Sequence, residues 1–455
     1  MKPSIPQGTR DFGAEVVMKR RFIFNSIISI FELYGFEPLE TPAFENLETL
    51  MGKYGEEGDR LIFKILNNGL DNPSKKENSI SAFNKILEGK SSKDLTERAL
   101  KYDLTIPFAR YVAMNHGKLN LPFKRYQLQP VWRADRPQKG RYREFYQCDA
   151  DIAGSSSLLH DAELAQIYIQ AFTKLRIPVK VKINSRKILQ ALAMSACGSG
   201  DQLVTITTAI DKLDKIGLEK ILEELKQKNL SAAALDIIKK FLQIAGSNEE
   251  KIDAIKLLLA GSDLTTAGLA EIEYVLAFGE NETNSGTLVF DQSLARGLNY
   301  YTGIIYEVTA NNVEMGSIGG GGRYDDLTGL FGVKNVPGVG ISFGIDRIYD
   351  VMEESGLFPD AIHAGTKVLF FNLGQAESEF AFRRMQELRA AGIACELYHE
   401  TAKLEKQFKY AEKKQVQFVI IIGSREIENN HCLIKNMNTG LQETKGFADI
   451  RHTVR

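Results

Sequence analysis

The sequence predicts an α+β fold: an antiparallel sheet interrupted by a helical segment, with a smaller α/β unit after it. Three observations carry this. Residues 123–154 read as two long strands joined by a short loop, a hairpin. Between residues 185 and 282 aromatics almost vanish, Lys/Glu pairs multiply, and DKLDKIGLEKILEELKQK and AALDIIKKFLQIAG carry helical spacing. From about Gly365 strand and helix patterns alternate to the end of the chain.

These changes of character divide the chain into 1–184, a helical insertion at 185–282, a return to strand patterning at 283–360, and a last unit at 365–455. In the first part, Asp11 is expected to cap a helix running through MKRRFIFNSIISIFELYG and stopping at Gly35. FEPLETPAFE then reads as one strand with Pro42 near its edge, and Leu61 to Leu66 as another. The polar stretch 67–96 reads as a surface insertion, helical around Ile80 to Leu87. Thr105-Ile106-Pro107 opens a helix. After the hairpin come an amphipathic helix from His160 to Leu175, His160 being a surface or capping residue, and a strand in IPVKVKINSRKIL. In LVFDQSLARGLNYYTGIIYEVTA strand patterning returns, which sends Tyr300 and Tyr301 to opposite faces. Gly319 to Gly322 fit a strand edge where a ligand approaches the backbone closely. GVGISFGIDRIYDVM places a strand-to-helix junction near Gly344 with Arg347 in the first helical turn, a natural phosphate site. The last unit reads strand, helix, strand, helix, strand, then a hairpin across Asn438-Thr439-Gly440.

Composition bounds the function. With 455 residues, 44% hydrophobic and 25% charged, the chain has the make-up of a soluble globular protein. A net charge of −1 cannot hold a polyanion by bulk attraction, so nucleic-acid contact must use local basic patches. Four scattered cysteines form no metal-binding spacing and point to free thiols in a reducing compartment. With no leader and no long apolar run, the expected location is cytoplasmic, without membrane contact. Lys212, Lys215 and Lys220 fit either phosphate contact or a solvated helix face.

The hairpin concentrates the chemistry. Seven basic residues and one acid fall between Lys124 and Arg143. By strand parity Arg133 and Asp135 share one face, as do Arg141, Phe145, Gln147 and Asp151. Guanidinium groups, an aromatic plate, an amide and a carboxylate on one surface suit a ligand carrying phosphates, a flat base and an ammonium group. Cys148 falls on the opposite, packing face.

R-A-D-R-P followed by G-R-Y-R-E-F-Y-Q resembles the motif 2 hairpin of class II aminoacyl-tRNA synthetases, and RPQKGRYREF is similar to the histidyl-tRNA synthetase family. Arg296-Gly297-Leu298 with Asn299-Tyr300-Tyr301-Thr302-Gly303 resembles that family's histidine-binding signature, with Asn299 where an acid is usual. GVGISFGIDR is similar to motif 3, with Asp346 in place of glutamate and so a shorter reach toward a metal. The helix-strand-proline run before residue 43 resembles motif 1 and implies a homodimer.

The resemblance implies a class II antiparallel-sheet catalytic domain with a helical insertion that closes over the tRNA acceptor arm, and a C-terminal anticodon-binding domain. It implies histidine, ATP and tRNA(His) as partners, with Mg²⁺ accompanying ATP and no dedicated protein metal site beyond a part for Asp135. Arg133 and Arg296 are then the catalytic pair. Asp103, Leu104, Thr105, Arg133, Gln147, Asp151, Arg296, Tyr300 and Tyr301 bind histidine, with Tyr301 facing the substrate. Arg133, Asp135, Arg141, Phe145 and Arg347 bind ATP. Arg136, Gln138 and Lys139 reach the tRNA acceptor end. The rival is a non-catalytic regulatory subunit of histidine biosynthesis, whose members generally lose the catalytic arginine and the last domain. Arg296 and residues 365–455 are both present.

Overall fold

The computed structural model describes residues 2–89, 92–278, 286–296, 300–311, 313–359, 362 and 365–454. The expected boundaries near 282 and 360, and Gly297, Leu298 and Asn299 of the signature, lie outside them. The chain divides into two compact units: Met1–Phe12 with Lys19–Pro359, and Gly13–Met18 with Asp360–Arg455.

Among the described residues the strands are, in order, β1 Glu37–Pro38, β2 Phe44–Asn46, β3 Lys64–Ile65, β4 Arg98–Leu100, β5 Phe123–Trp132, β6 Glu144–Ala153, β7 Val179–Ser185 and β8 Gly286–Phe290. They continue as β9 Ile304–Ala310, β10 Gly319–Tyr324, β11 Gly338–Gly344, β12 Val368–Phe370, β13 Cys395–Leu397, β14 Phe418–Ile421, β15 His431–Asn436 and β16 Gln442–Gly446.

The first unit is built on an eight-stranded sheet ordered β1-β5-β6-β11-β10-β9-β7-β8, with β2-β4-β3 forming a small second sheet. Antiparallel pairing runs from β5 to β7, and only the outer pairs β1/β5 and β7/β8 are parallel. Helices Ala14–Leu33 and Leu158–Lys174 and a helical run from Arg186–Cys197 to Asp263–Ala277 share one continuous apolar core with this sheet. Phe31, Phe172 and Phe343, all buried, meet there. No helix of the described residues is long and apolar enough to cross a membrane. The second unit orders its strands β13-β12-β14-β15-β16 around its own core, and its last hairpin turns through 437–441.

Several local expectations change. FEPLETPAFE is two short strands, β1 and β2, in different sheets. Pro42 between them has no N–H for a continuous ladder. The strand at 177–189 ends at Ser185, whose Oγ accepts from the Lys187 N–H at 3.3 Å and starts a helix at Arg186. The first helix starts at Ala14, so Gly13 and not Asp11 holds the capping position. From Leu61 to Leu66 only Lys64–Ile65 is strand. The four glycines form an interior strand, not an edge. The helix in the polar stretch runs Lys76–Leu87, and the junction at Gly344 starts helix Ile345–Glu354 as expected.

Candidate active site

A cavity of about 280 Å³ opens on the face of β6, β10 and β11. Asp103, Thr105, Arg133, Asp135, Arg141, Phe145, Gln147, Asp151, Arg296, Tyr300, Tyr301 and Arg347 all line it. Residues far apart in sequence meet because β11 lies between β6 and β10, which brings the segments around 147, 320 and 342 side by side.

Glycines make the room. A Cβ on Gly340 would fall 1.9 Å from Asp151 Oδ1, and one on Gly320 would fall 2.5 Å from Arg296 NH1. Each would occupy space that a functional side chain fills.

The floor is acidic and dry. Asp103, Asp149 and Asp151 are buried, and the fully buried Arg125 pairs with Asp151 at 2.8 Å. Asp103 Oδ1 accepts from the Tyr54 hydroxyl at 3.0 Å and from the Ile106 N–H at 3.1 Å. Tyr324 donates to Asp151. Burial raises the Asp103 and Asp151 carboxyls above their ordinary range, with Arg125 opposing the rise at Asp151. Burial lifts Asp149 to about 7, against the pull of Arg125.

The opposite end is basic. Arg133 Nε donates to the Tyr102 carbonyl at 3.1 Å, and its guanidinium lies 4.3 Å from the Tyr102 ring centre and 5.1 Å from that of Phe145. Arg347 donates to the carbonyls of Gly140 at 3.1 Å and Ser317 at 2.6 Å. Burial lowers the Arg347 pKa, helped by Arg141 and Arg133 nearby. Arg296 approaches Glu307 at 3.6 Å, and Arg141 lies 3.9 Å from Asp135.

Two expectations, for Leu104 and for the tyrosine pair, meet a different placement. Leu104 does not line the cavity: it is fully buried, and its carbonyl accepts from Arg125 at 3.2 Å. Tyr300 and Tyr301 do not face opposite ways. Residue 300 lies in a turn before β9, so strand alternation does not apply, and both rings line the cavity 4.8 Å apart. Arg136, Gln138 and Lys139 stand exposed on the hairpin tip outside the cavity lining, with Lys139 paired to Glu354. Asp346 also lines the cavity: its Oδ1 accepts from Arg10 at 2.5 Å and from Arg20 at 2.6 Å, while its buried Oδ2 has no hydrogen-bond partner among the described residues. Among the described residues no group of three or more His, Cys, Asp or Glu side chains is placed to hold a metal ion.

Asp149, Ser342, Tyr142 and Tyr324 line the cavity without having been expected there. Asp149 had a signal, since it shares strand parity with Phe145, Gln147 and Asp151. The other three become visible only through topology.

The family profile described as histidyl-tRNA synthetase matches residues 74–348, and one described as anticodon binding domain matches 367–455. A protein of Christiangramia forsetii named histidine–tRNA ligase is 51% identical over 449 residues, covering 98% of each chain. A crystal structure of histidyl-tRNA synthetase from Nostoc sp. PCC 7120 aligns with TM-score 0.82 at 30% identity, over 100% of this chain and 99% of that one. A Bacillus halodurans structure titled as an ATP phosphoribosyltransferase regulatory subunit/histidyl-tRNA synthetase aligns at TM-score 0.71 over 93% of this chain and 99% of that one; at 21% identity it shares the fold alone. With a profile across more than half its length and a near full-length relative at this identity, the chain belongs to the histidyl-tRNA synthetase family.

Proposed function

We propose that the protein activates L-histidine with ATP and transfers it to the 3′ end of tRNA(His). The observation that carries the reading is that Arg133 and Arg296 line one cavity whose floor holds Asp103, Gln147 and Asp151. Histidine's carboxylate attacks the α-phosphorus of ATP and releases pyrophosphate. The terminal ribose hydroxyl of tRNA then attacks the adenylate carbonyl and releases AMP. Neither step needs a protein nucleophile; the protein's task is to bring two anions together and hold the charge that builds between them.

Arg133 and Arg296 grip the carboxylate and α-phosphate from two sides, each paired charged contact being worth roughly 1.5–3 kcal/mol. Asp103 accepts from the ammonium with Thr105 and Gln147 beside it, while Asp151, Tyr300 and Tyr301 face the imidazole. A wrong side chain leaves these buried polar groups unpaired, which discriminates by about 10⁴–10⁵-fold. Phe145 offers a plate to adenine, and Arg141 and Arg347 take the outer phosphates. Mg²⁺ bound with ATP would be met by Asp135 and would supply neutralisation of phosphate charge. Arg136, Gln138 and Lys139 meet the acceptor end of tRNA, the 185–282 helices close over its arm, and the last unit takes the anticodon. The motif 1 region forms a homodimer, and the enzyme works in the cytoplasm. The Leu104 side chain, enclosed in the core, takes no part in binding.

The test is histidine-dependent exchange of pyrophosphate into ATP by the purified protein. Exchange with histidine and none with proline is expected; no exchange with histidine rejects the reading and favours the regulatory one.

A further inference from the structure

We propose that Asp149 is a positioning residue for histidine activation: through Ser342 it orients the Gln147 amide, and through that amide the guanidinium of Arg133. The inference rests on the reading of this cavity as the site of histidine activation.

Four side chains in series carry it. The Arg133 guanidinium (NH2) faces Gln147 Oε1 at 3.5 Å. Gln147 Nε2 donates to Ser342 Oγ at 3.1 Å. The Ser342 hydroxyl has one proton to give, and Asp149 stands directly across from it in the β6/β11 register. The link between Gln147 and Ser342 can run in either direction in principle, because a hydroxyl and a primary amide each both donate and accept. If Ser342 donated to the amide oxygen, Gln147 would turn and present its NH₂ to Arg133, donor against donor. The carboxylate removes that choice. As an acceptor it takes the Ser342 proton, so Ser342 must accept from Gln147, and Gln147 must accept from Arg133.

The surroundings of Asp149 suit an anchor. It is 2% exposed, and its Oδ1 has no hydrogen-bond partner among the described residues. Gln127 stands directly opposite in the hairpin register, and its Oε1 also lacks a partner. That amide cannot turn over, because its Nε2 donates to Thr41 Oγ1 at 2.8 Å and Gln129 Oε1 at 2.7 Å. The two orphaned oxygens thus belong to directly paired residues. The charged and titratable groups that act on Asp149 are Arg125 from β5, Asp151 and Cys148 from β6, Asp103 ahead of helix Thr105–Asn115, and Tyr168 from helix Leu158–Lys174. Whether the acid is charged or neutral, the oxygen toward Ser342 still accepts, so the direction of the series holds in both states.

An amide at this position keeps that acceptor and offers its NH₂ to Gln127; an alanine keeps neither. The experiment measures histidine-dependent pyrophosphate exchange for the wild type, Asp149→Ala, Asp149→Asn, Ser342→Ala and the double variant Asp149→Ala/Ser342→Ala. Asp149→Ala and Ser342→Ala are each expected to lose about 10-fold to 100-fold in kcat/KM for histidine. The double variant should be no worse than the poorer single one, and Asp149→Asn should recover most of the loss. Multiplying defects, or Asp149→Asn as poor as Asp149→Ala, overturn the proposal. If Asp149→Ala does not fold, an unimpaired Ser342→Ala overturns it alone. Wild type that shows no exchange rejects the reading of the whole site, whereas active wild type with independent variants rejects only this role for Asp149.

Discussion

The two ends of the cavity solve opposite electrostatic problems. At the floor, carboxylates are buried against Arg125 and phenol hydroxyls, which fix their direction away from bulk solvent. At the rim, Arg133 and Arg347 are held by neutral carbonyls of Tyr102, Gly140 and Ser317. A carbonyl fixes the direction of a guanidinium without cancelling its charge. On the proposed function, the floor suits a small cation and the rim keeps its positive charge for phosphates.

The largest expected effect breaks the rim. Arg296→Ala should lower kcat for pyrophosphate exchange by about 10²–10³-fold, as loss of a transition-state donor does, with the melting temperature little changed; full turnover would dismiss the clamp. Next is the titration of the floor. Asp149 rises from the ordinary 3.8 to about 7, so the folded state holds a proton that the unfolded chain gives up. Its stabilising share is complete below about pH 3.8 and disappears as pH climbs through about 7. Asp149→Asn should therefore gain stability over the wild type between pH 5 and 8, on the order of 2–4 kcal/mol; denaturant titrations at both pH values measure it. Gly340→Ala sharpens the contrast from the other side. Its Cβ collides with Asp151, costing roughly 1–3 kcal/mol, and calorimetry should find histidine binding weakened while ATP binding holds. Lys139→Ala, exposed and paired with Glu354, should leave the melting temperature unchanged and flatten the salt dependence of tRNA binding by about one unit of slope.

The same contrast explains what the sequence revealed. The floor was legible where a regular strand carried it: parity through Phe145, Gln147 and Asp151 is a local rule, and β6 obeys it. Asp149 obeyed it too, but an aspartate between Gln147 and Asp151 reads as ordinary until its neighbours across the sheet are known. Tyr300 and Tyr301 misled because parity was applied where the chain forms no strand. Ser342 and Tyr324 arrive on β11 and β10, whose place beside β6 is a matter of pairing and not of pattern. FEPLETPAFE failed for a local reason, Pro42 falling where one apparent strand divides into two. The partners of Asp346, which lie 336 and 326 residues away, left no trace that a local pattern could hold.

Those partners carry a practical consequence. Arg10 stacks on Tyr142 of the hairpin, 3.2 Å from its ring centre, while it bonds Asp346 at the start of the motif 3 helix. The peptide oxygen of Gly8 accepts from Arg143 N–H at 2.9 Å. The first dozen residues therefore act as a tether across the nucleotide end. Proteolytic trimming there should impair the enzyme as an injury to its ATP site would, raising the ATP requirement and leaving affinity for free histidine near normal.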